Sequence, residues 1–249
     1  MAIAYVAAGA GASGAANCTP ALPAGIVSGN LLIALVENAN QQPTIGAQNG
    51  GAWAQIGTLS GTGAAGGTTA AGLAVYWDRY NGTQTAPNFT DGGGDHVGAR
   101  IYGFSGVKST GNPWNVFTDN TDGTSDTSLE AAEVTTTAAD CWILICATVM
   151  DDAQDFGATW TNANLTGITV RDASFGHAAG NDGRLILVTG VKASAGATGT
   201  TTNTLTANSV KAMFTIALEP AVVAVVGPPF VRRRGPRQRG LLTRSVRSR

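Results

Sequence analysis

The chain has little charge, little that favours helix and few of the side chains that do chemistry. Only 12% of its 249 residues are Asp, Glu, Lys or Arg. Lys, Glu, Gln and Met are scarce, and no segment keeps a 3.6-residue apolar period for a dozen positions. That argues against a helical bundle and against a parallel sheet with crossover helices. Only two histidines occur, His96 and His177, both in Gly-rich stretches. There is no H-E-x-x-H, G-x-S-x-G or Walker A pattern, so the common metallohydrolase, serine-hydrolase and P-loop signatures are missing. The run GAGASG at 9–14 has the composition of a phosphate loop, but no helix is expected after it. FSG at 104–106 lacks the strand–Ser–helix context of a nucleophile elbow.

Cysteine is also sparse: Cys18, Cys141 and Cys146, an odd number without a C-x-x-C spacing. Cys141 and Cys146 lie five apart in one apolar strand, so they project to opposite faces and do not bridge each other. All three read as buried free thiols, which fits a reducing assembly compartment. No apolar stretch reaches 18 residues, so no membrane-spanning helix is expected. AVVAVVGPPF at 221–230 is too short and ends its run in Pro-Pro. MAIAYVAAGAGASGAA lacks the basic start of a signal peptide.

Acid is missing from one part of the chain altogether. Residues 227–249 hold no Asp or Glu and eight arginines: Arg232, Arg233, Arg234, Arg237, Arg239, Arg244, Arg247 and Arg249. Residues 1–226 hold all 16 acids against seven bases, Arg79, Arg100, Lys108, Arg171, Arg184, Lys192 and Lys211. The formal net charge of −1 therefore hides a body of −9 and a tail of +8. Such a tail fits docking on an acidic protein surface or on phosphate. Leu241, Leu242 and Val246 interrupt it and would anchor a docked arm, which a purely electrostatic nucleic-acid tail would not need. Fully extended, the tail would span ~75 Å at roughly 3.3 Å per residue.

What the chain does have is Gly (34 residues), Ala and Thr, with β-branched and aromatic runs between turn signals. Strands are expected at 3–7, 31–38, 53–60, 72–80, 97–104, 128–135, 141–149, 167–173, 184–191 and 212–218. Turns or loops are expected at 48–51, 61–69, 79–87, 91–94, 119–126 and 177–183, and over the Thr/Ala/Gly stretch 193–204. LAVYWDRY alternates like a half-buried strand, whereas CWILICATVM is apolar on both faces and suits a central strand under two layers. AEVTTTAAD is the best short-helix candidate, although Thr135–Thr137 oppose its continuation. The expectation is an all-β, antiparallel β-sandwich, jelly-roll-like, with an extended C-terminal arm. Its divisions would be an Ala/Gly-rich N-terminal strand and arm (1–24), a sandwich body (25–220) and the Arg-rich arm (221–249), with Pro220 and the following Gly-Pro-Pro ending regular structure.

Candidate sites are few. Asp119, Asp122 and Asp126 crowd one loop, and Asp151, Asp152 and Asp155 another. Their spacing departs from an EF-hand, so Asx-turn support is the better reading and no metal is assigned. Asp91, Asp95 and His96 around Gly92–Gly94 are a weaker metal-loop candidate. Of the five tryptophans, Trp142, Trp77 and Trp53 read as core. Trp114 and Trp160 sit beside loops and are the candidates for stacking on a glycan.

Several phrases follow one another in a familiar order: SGNLLIALVE, the W-x-x-I-G-T-L run at 53–59, AVYWDRYNGTQTAP, ARIYGFSGV, GNPW and FTIALEP. Over roughly residues 25–220 the chain resembles a widespread group of uncharacterised tailed-bacteriophage structural proteins with jelly-roll-like sandwiches. The matching phrases are scaffold motifs, so no functional residue is carried over, and the arm is not part of the shared pattern. The resemblance implies a non-enzymatic virion protein, assembled in the host cytoplasm, without a cofactor and not in a membrane. The role expected first is a capsid decoration or cement protein. It would bind the major capsid protein or other virion subunits, form a homo-oligomer, and reach its neighbours through the N-terminal segment and through Arg232, Arg233, Arg234, Arg237, Arg239, Leu241, Leu242, Arg244, Arg247 and Arg249. Two alternatives stand beside it: a tail-tip or fibre module that binds host glycans, and a coat protein whose basic arm contacts nucleic acid.

Overall fold

LLIALV (31–36) and CWILICA (141–147) are apolar on both faces, and strands of this kind are stable only between two covering layers. In the computed structural model of the protein each stands at the centre of its own sheet. The structure describes residues 2–150, 156–157, 159–171, 175–177 and 183–222. Along the chain the strands are β1 (Ala4–Ala8), β2 (Ala12–Gly14), β3 (Asn17–Cys18), β4 (Leu31–Asn38), β5 (Thr44–Ile45), β6 (Ala54–Thr62), β7 (Ala71–Arg79), β8 (Phe89–Thr90) and β9 (Val97–Ser105). They continue with β10 (Trp114–Ala131), β11 (Thr135–Thr136), β12 (Cys141–Val149), β13 (Thr166–Val170), β14 (Phe175–His177), β15 (Gly183–Lys192), β16 (Gly196–Ala197) and β17 (Thr201–Leu218). There is no helix among the described residues.

The first sheet runs β1-β9-β4-β7-β6, with β2 also on β9. The second runs β10-β17-β12-β15-β13, with β14 also on β15. All the strand pairings are antiparallel. The period of two splits each central strand cleanly. Leu31, Ile33 and Leu35 of β4 meet Leu144 and Cys146 of β12, Leu185 and Leu187 of β15, and Phe214 and Ile216 of β17 in the core between the sheets. The alternate residues Leu32, Ala34 and Val36 face outward, into a second core under Trp53, Phe89 and Cys18. Ile143, Ile145 and Ala147 likewise face a third core with Leu129, Phe156, Trp160, Leu165 and Leu205. Cys141 and Cys146 fall on opposite faces, as their spacing requires. The body is thus an antiparallel β-sandwich with a cover on each outer face. Full burial of each Leu, Ile or Phe contributes roughly 1.5–3 kcal/mol.

β7 is better covered than its alternation suggests. Its inward residues Leu73 and Val75 join the central core, while Ala74 and Tyr76 pack on Phe89 beneath the small β3-β8-β5 sheet. The Tyr76 hydroxyl donates to the Pro43 carbonyl at 2.6 Å.

Two differences from the sequence expectation concern one pair of strands, β10 and β17. The run 119–126 is not a loop between strands but the middle of the 18-residue β10, and β17 begins at Thr201, inside the stretch expected to be a loop. Residues 114–122 pair with 211–218, and residues 126–131 pair with 201–209 across a register shift. At that shift the ladder leaves the second sheet, and its far end covers that sheet's outer face through Leu129, Ala131 and Leu205. Asp, Asn and Thr read as turn residues in isolation; here a partner strand and a buried lysine override that preference.

The N-terminal segment is part of the body rather than an arm: β1 and β2 complete the edge of the first sheet, and β3 pairs with β8. Gly9 and Gly14 of the GAGASG run make close backbone approaches, their added Cβ atoms falling 1.9 Å from the Ala21 carbonyl oxygen and 2.3 Å from that of Asn17. These glycines permit packing, and residues 12–14 form β2 with no helix after them.

Candidate functional site

The arm leaves the body at a fixed point. After β17, Pro220 bridges Val107, the Lys108 N–H donates to the Glu219 carbonyl at 2.8 Å, and the Ala221 N–H donates to the Gly106 carbonyl at 2.8 Å. Lys108 Nζ pairs with Glu219 Oε2 at 2.9 Å. Gly106 has φ of 71°, and a Cβ there would lie 2.1 Å from the Ala2 carbonyl oxygen. Residue 106 must therefore be glycine for Ala2 and the arm root to meet there. Beside this root lies an open cleft of about 410 Å³, lined by Ile3, Asp140, Trp142, Val191, Pro220 and Ala221. The Arg171 guanidinium lies 5.1 Å from the Trp142 ring centre and 5.2 Å from that of Tyr5, and its Nε donates to Thr189 Oγ1 at 2.7 Å. Val222, the next residue out, is 88% exposed. The arm residues Arg232, Arg233, Arg234, Arg237, Arg239, Leu241, Leu242, Arg244, Arg247 and Arg249 lie outside the described residues, as do Asp151, Asp152 and Asp155.

In the Asp91–His96 loop the acids turn to the backbone and to Gln41. One Asp91 carboxylate oxygen accepts the N–H groups of Gly93, Gly94 and Asp95 at 3.1, 2.5 and 3.1 Å. With its amide turned to match donors to acceptors, Gln41 donates to Asp95 at 2.8 Å and to Asp91 at 3.1 Å. Burial, with the shared hydrogen bond and charge of Asp95, holds the Asp91 carboxyl above its ordinary range. His96 points the other way. Its Nε2 lies 2.9 Å from Glu37 Oε1, and both side chains are fully buried. Burial pulls His96 down, but the Glu37 hydrogen bond and the charges of Glu37, Asp95 and Asp91 outweigh it and raise its pKa. Sequence reading missed Glu37 as a partner. Its signal was a lone acid in an otherwise apolar strand, which has to find a cation or a donor.

Of the three acids in the 119–126 run, two converge on one lysine. Lys211 Nζ, fully buried, contacts Asp126 Oδ1 at 2.6 Å, Asp122 Oδ2 at 2.9 Å and the Thr124 carbonyl at 3.2 Å. Asp122 and Asp126 also accept the N–H groups of Thr124 and Ser128, the Asx-turn geometry expected of them. Asp119 stays exposed on β10. The acids hold the corner of the long ladder together. No cluster of three or more His, Cys, Asp or Glu side chains suited to a metal ion is present among the described residues. Lys211 was legible only as a lone cation in the apolar run VKAMFTIAL.

The two glycan candidates are packed. Trp114 is half-buried in the central core, edge-on to Trp77 at 5.4 Å and to Phe117 at 5.9 Å. Trp160 is 8% exposed, tilted on Phe156 at 6.2 Å, at the floor of a shallow depression with Thr161, Asn162 and Thr202. That exposure leaves almost no ring face for a sugar to stack on. The three thiols are buried. Burial, with the charge of Glu37, pushes Cys18 up to about 12. Burial, with Glu219 and Asp140, pushes Cys141 up to about 11, and burial alone raises Cys146.

No family model matches the chain, and neither a curated protein nor a solved structure was found to match it.

Proposed function

We propose that this protein is a non-enzymatic virion structural protein, a capsid decoration or cement protein that holds on to neighbouring subunits through its sandwich and its Arg-rich arm. The observation that carries the reading is the arm root. A segment of +8 leaves a −9 body from a point pinned by a β-bridge, two backbone hydrogen bonds and the Lys108–Glu219 pair. A pinned root fixes the point from which the arm starts, so less freedom is lost when it docks. The double-covered sandwich supplies a rigid platform, and repetition of a weak arm contact on a symmetric shell would give lasting attachment. The resemblance of the phrases over residues 25–220 to phage structural proteins is the sequence-based support for this reading.

The test is binding of the full chain to purified particles, compared with a chain lacking 227–249 and with one whose eight tail arginines are glutamine. Both altered chains should keep the melting temperature of the body and lose particle attachment. Unfolding of the shortened chain contradicts the boundary at Pro220, and undiminished attachment contradicts the role of the arm. Salt separates the nucleic-acid alternative: eight neutralised phosphates give a log–log slope of about −7, and docking on protein gives a shallower one.

A further inference from the structure

The cleft beside the arm root joins an apolar floor, Ile3, Trp142, Val191 and Pro220, to an exposed acid at its lip, Asp140. The chain carries the complementary order just beyond the described residues: Val223-Ala224-Val225-Val226, then Gly-Pro-Pro-Phe230, Val231 and Arg232-Arg233-Arg234. We propose that the cleft receives segment 223–234 of a second copy of this chain, with Phe230 against Trp142 and an arginine of the 232–234 triplet on Asp140, each copy giving its arm to the other. This exchange presupposes the docking role given to the arm above and names its first partner.

Reach and direction favour a second copy over the chain's own segment. The root forms one wall of its own cleft, and Val222 leaves it 88% exposed. No turn residue occurs between Val222 and Val226. Valine and proline sequences of this kind disfavour a tight reversal, which favours delivery of Phe230 to a second copy over a return to its own root. From Ala221 to Phe230 the chain reaches at most ~30 Å, which sets the separation that two clefts can have across a two-fold axis. Charge supports contact between an arm and a body, +8 against −9, whichever copy supplies the arm. A reciprocal exchange is isologous and closes at two copies. The cleft volume of about 410 Å³ is in the range of sites that hold a ring and one or two flanking residues.

The experiment uses the full chain throughout. Its mass by light scattering after size exclusion should be that of a dimer. Phe230→Ala and Asp140→Asn should each shift it toward monomer with an unchanged circular dichroism spectrum; Asn tolerates the positive φ of 55° at 140. A mixture of a Phe230→Cys chain with a Val191→Cys chain should form a disulfide between the two copies on mild oxidation. A monomeric wild type, a dimer indifferent to both substitutions, or a mixture that forms no disulfide between the Phe230→Cys and Val191→Cys chains overturns the exchange. Failure here is separable from failure of the virion reading, which particle binding measures independently.

Discussion

The corner of the β10–β17 ladder offers the sharpest test of the physical account. Lys211 is fully buried, while the side chains of Asp122 and Asp126 are 32% and 44% exposed. The two halves of this cluster should therefore differ in cost. Asp122→Asn with Asp126→Asn keeps the Asx-turn acceptors but leaves an ammonium buried without a counter-charge, and breaking a buried pair in this way costs about 3–5 kcal/mol. Lys211→Met keeps most of the stem volume and leaves two carboxylates that can turn to water, so its cost is nearer ~1 kcal/mol. At roughly 2–4 °C per kcal/mol for a body of this size, the double Asn variant should melt roughly 6–20 °C lower and Lys211→Met only a few degrees lower. Calorimetry at neutral pH gives both numbers. If Lys211→Met were the more damaging change, the assignment of the burial penalty to the lysine would be wrong. Acid supplies a second reading. Burial pulls Asp122 up, but the Lys211 hydrogen bond, the Thr124 N–H and the Lys211 charge bring it below its ordinary value. A depressed carboxyl contributes stability above its unfolded pKa of about 3.9, lost as pH falls through the lower folded value. The wild type should lose stability below about pH 4, and the Lys211→Met variant should show a smaller loss, keeping only the part that the Thr124 hydrogen bond supplies.

Other expectations follow from the same structure. The raised pKa of His96 contributes stability that is complete below its unfolded value of about 6.5 and is lost as pH rises through the folded one. The melting-temperature gap between wild type and Glu37→Gln should therefore be largest at pH 5–6 and shrink toward pH 9; a gap that widens with pH contradicts the pairing. Cys18, Cys141 and Cys146 should be silent to a thiol reagent at pH 8 in the folded protein and react fully once it is denatured. Gly106→Val should destabilise the body by about 1–3 kcal/mol, since it forces a β-branched residue to positive φ against the Ala2 carbonyl. Hydrogen exchange should show β1 loosening first in that variant.

Much of this architecture was written in hydrophobic pattern. Cys141–Val149 announces itself as a doubly covered strand because both its faces are apolar from Cys141 through Ala147, and Leu31–Asn38 is legible as a strand whose first six residues are apolar. Thr201–Val210 and Asp119–Asp126 did not, because their alternation of Thr, Asn, Ser and Asp is also that of a loop. Only the long-range pairing of β10 with β17 and the Lys211 contact 85–89 residues away decide the matter. The buried Glu37–His96 pair, 59 residues apart, was hidden for the same reason. Trp160 looked exposed because its neighbours are polar, yet the bridges Phe156–Leu205 and Thr161–Thr202 fold its segment onto the sheet. The arm was legible in charge alone. Its root was not, because a bridge between Val107 and Pro220 leaves no local signal.

Attachment to a virion is the central claim, and copy number tests it most directly. Quantitative mass spectrometry of purified particles, scaled to the major capsid protein, should give dozens to hundreds of copies in fixed ratio to that protein. A handful of copies per particle would place the protein on the tail and contradict a decorating role, and none at all would contradict the virion reading.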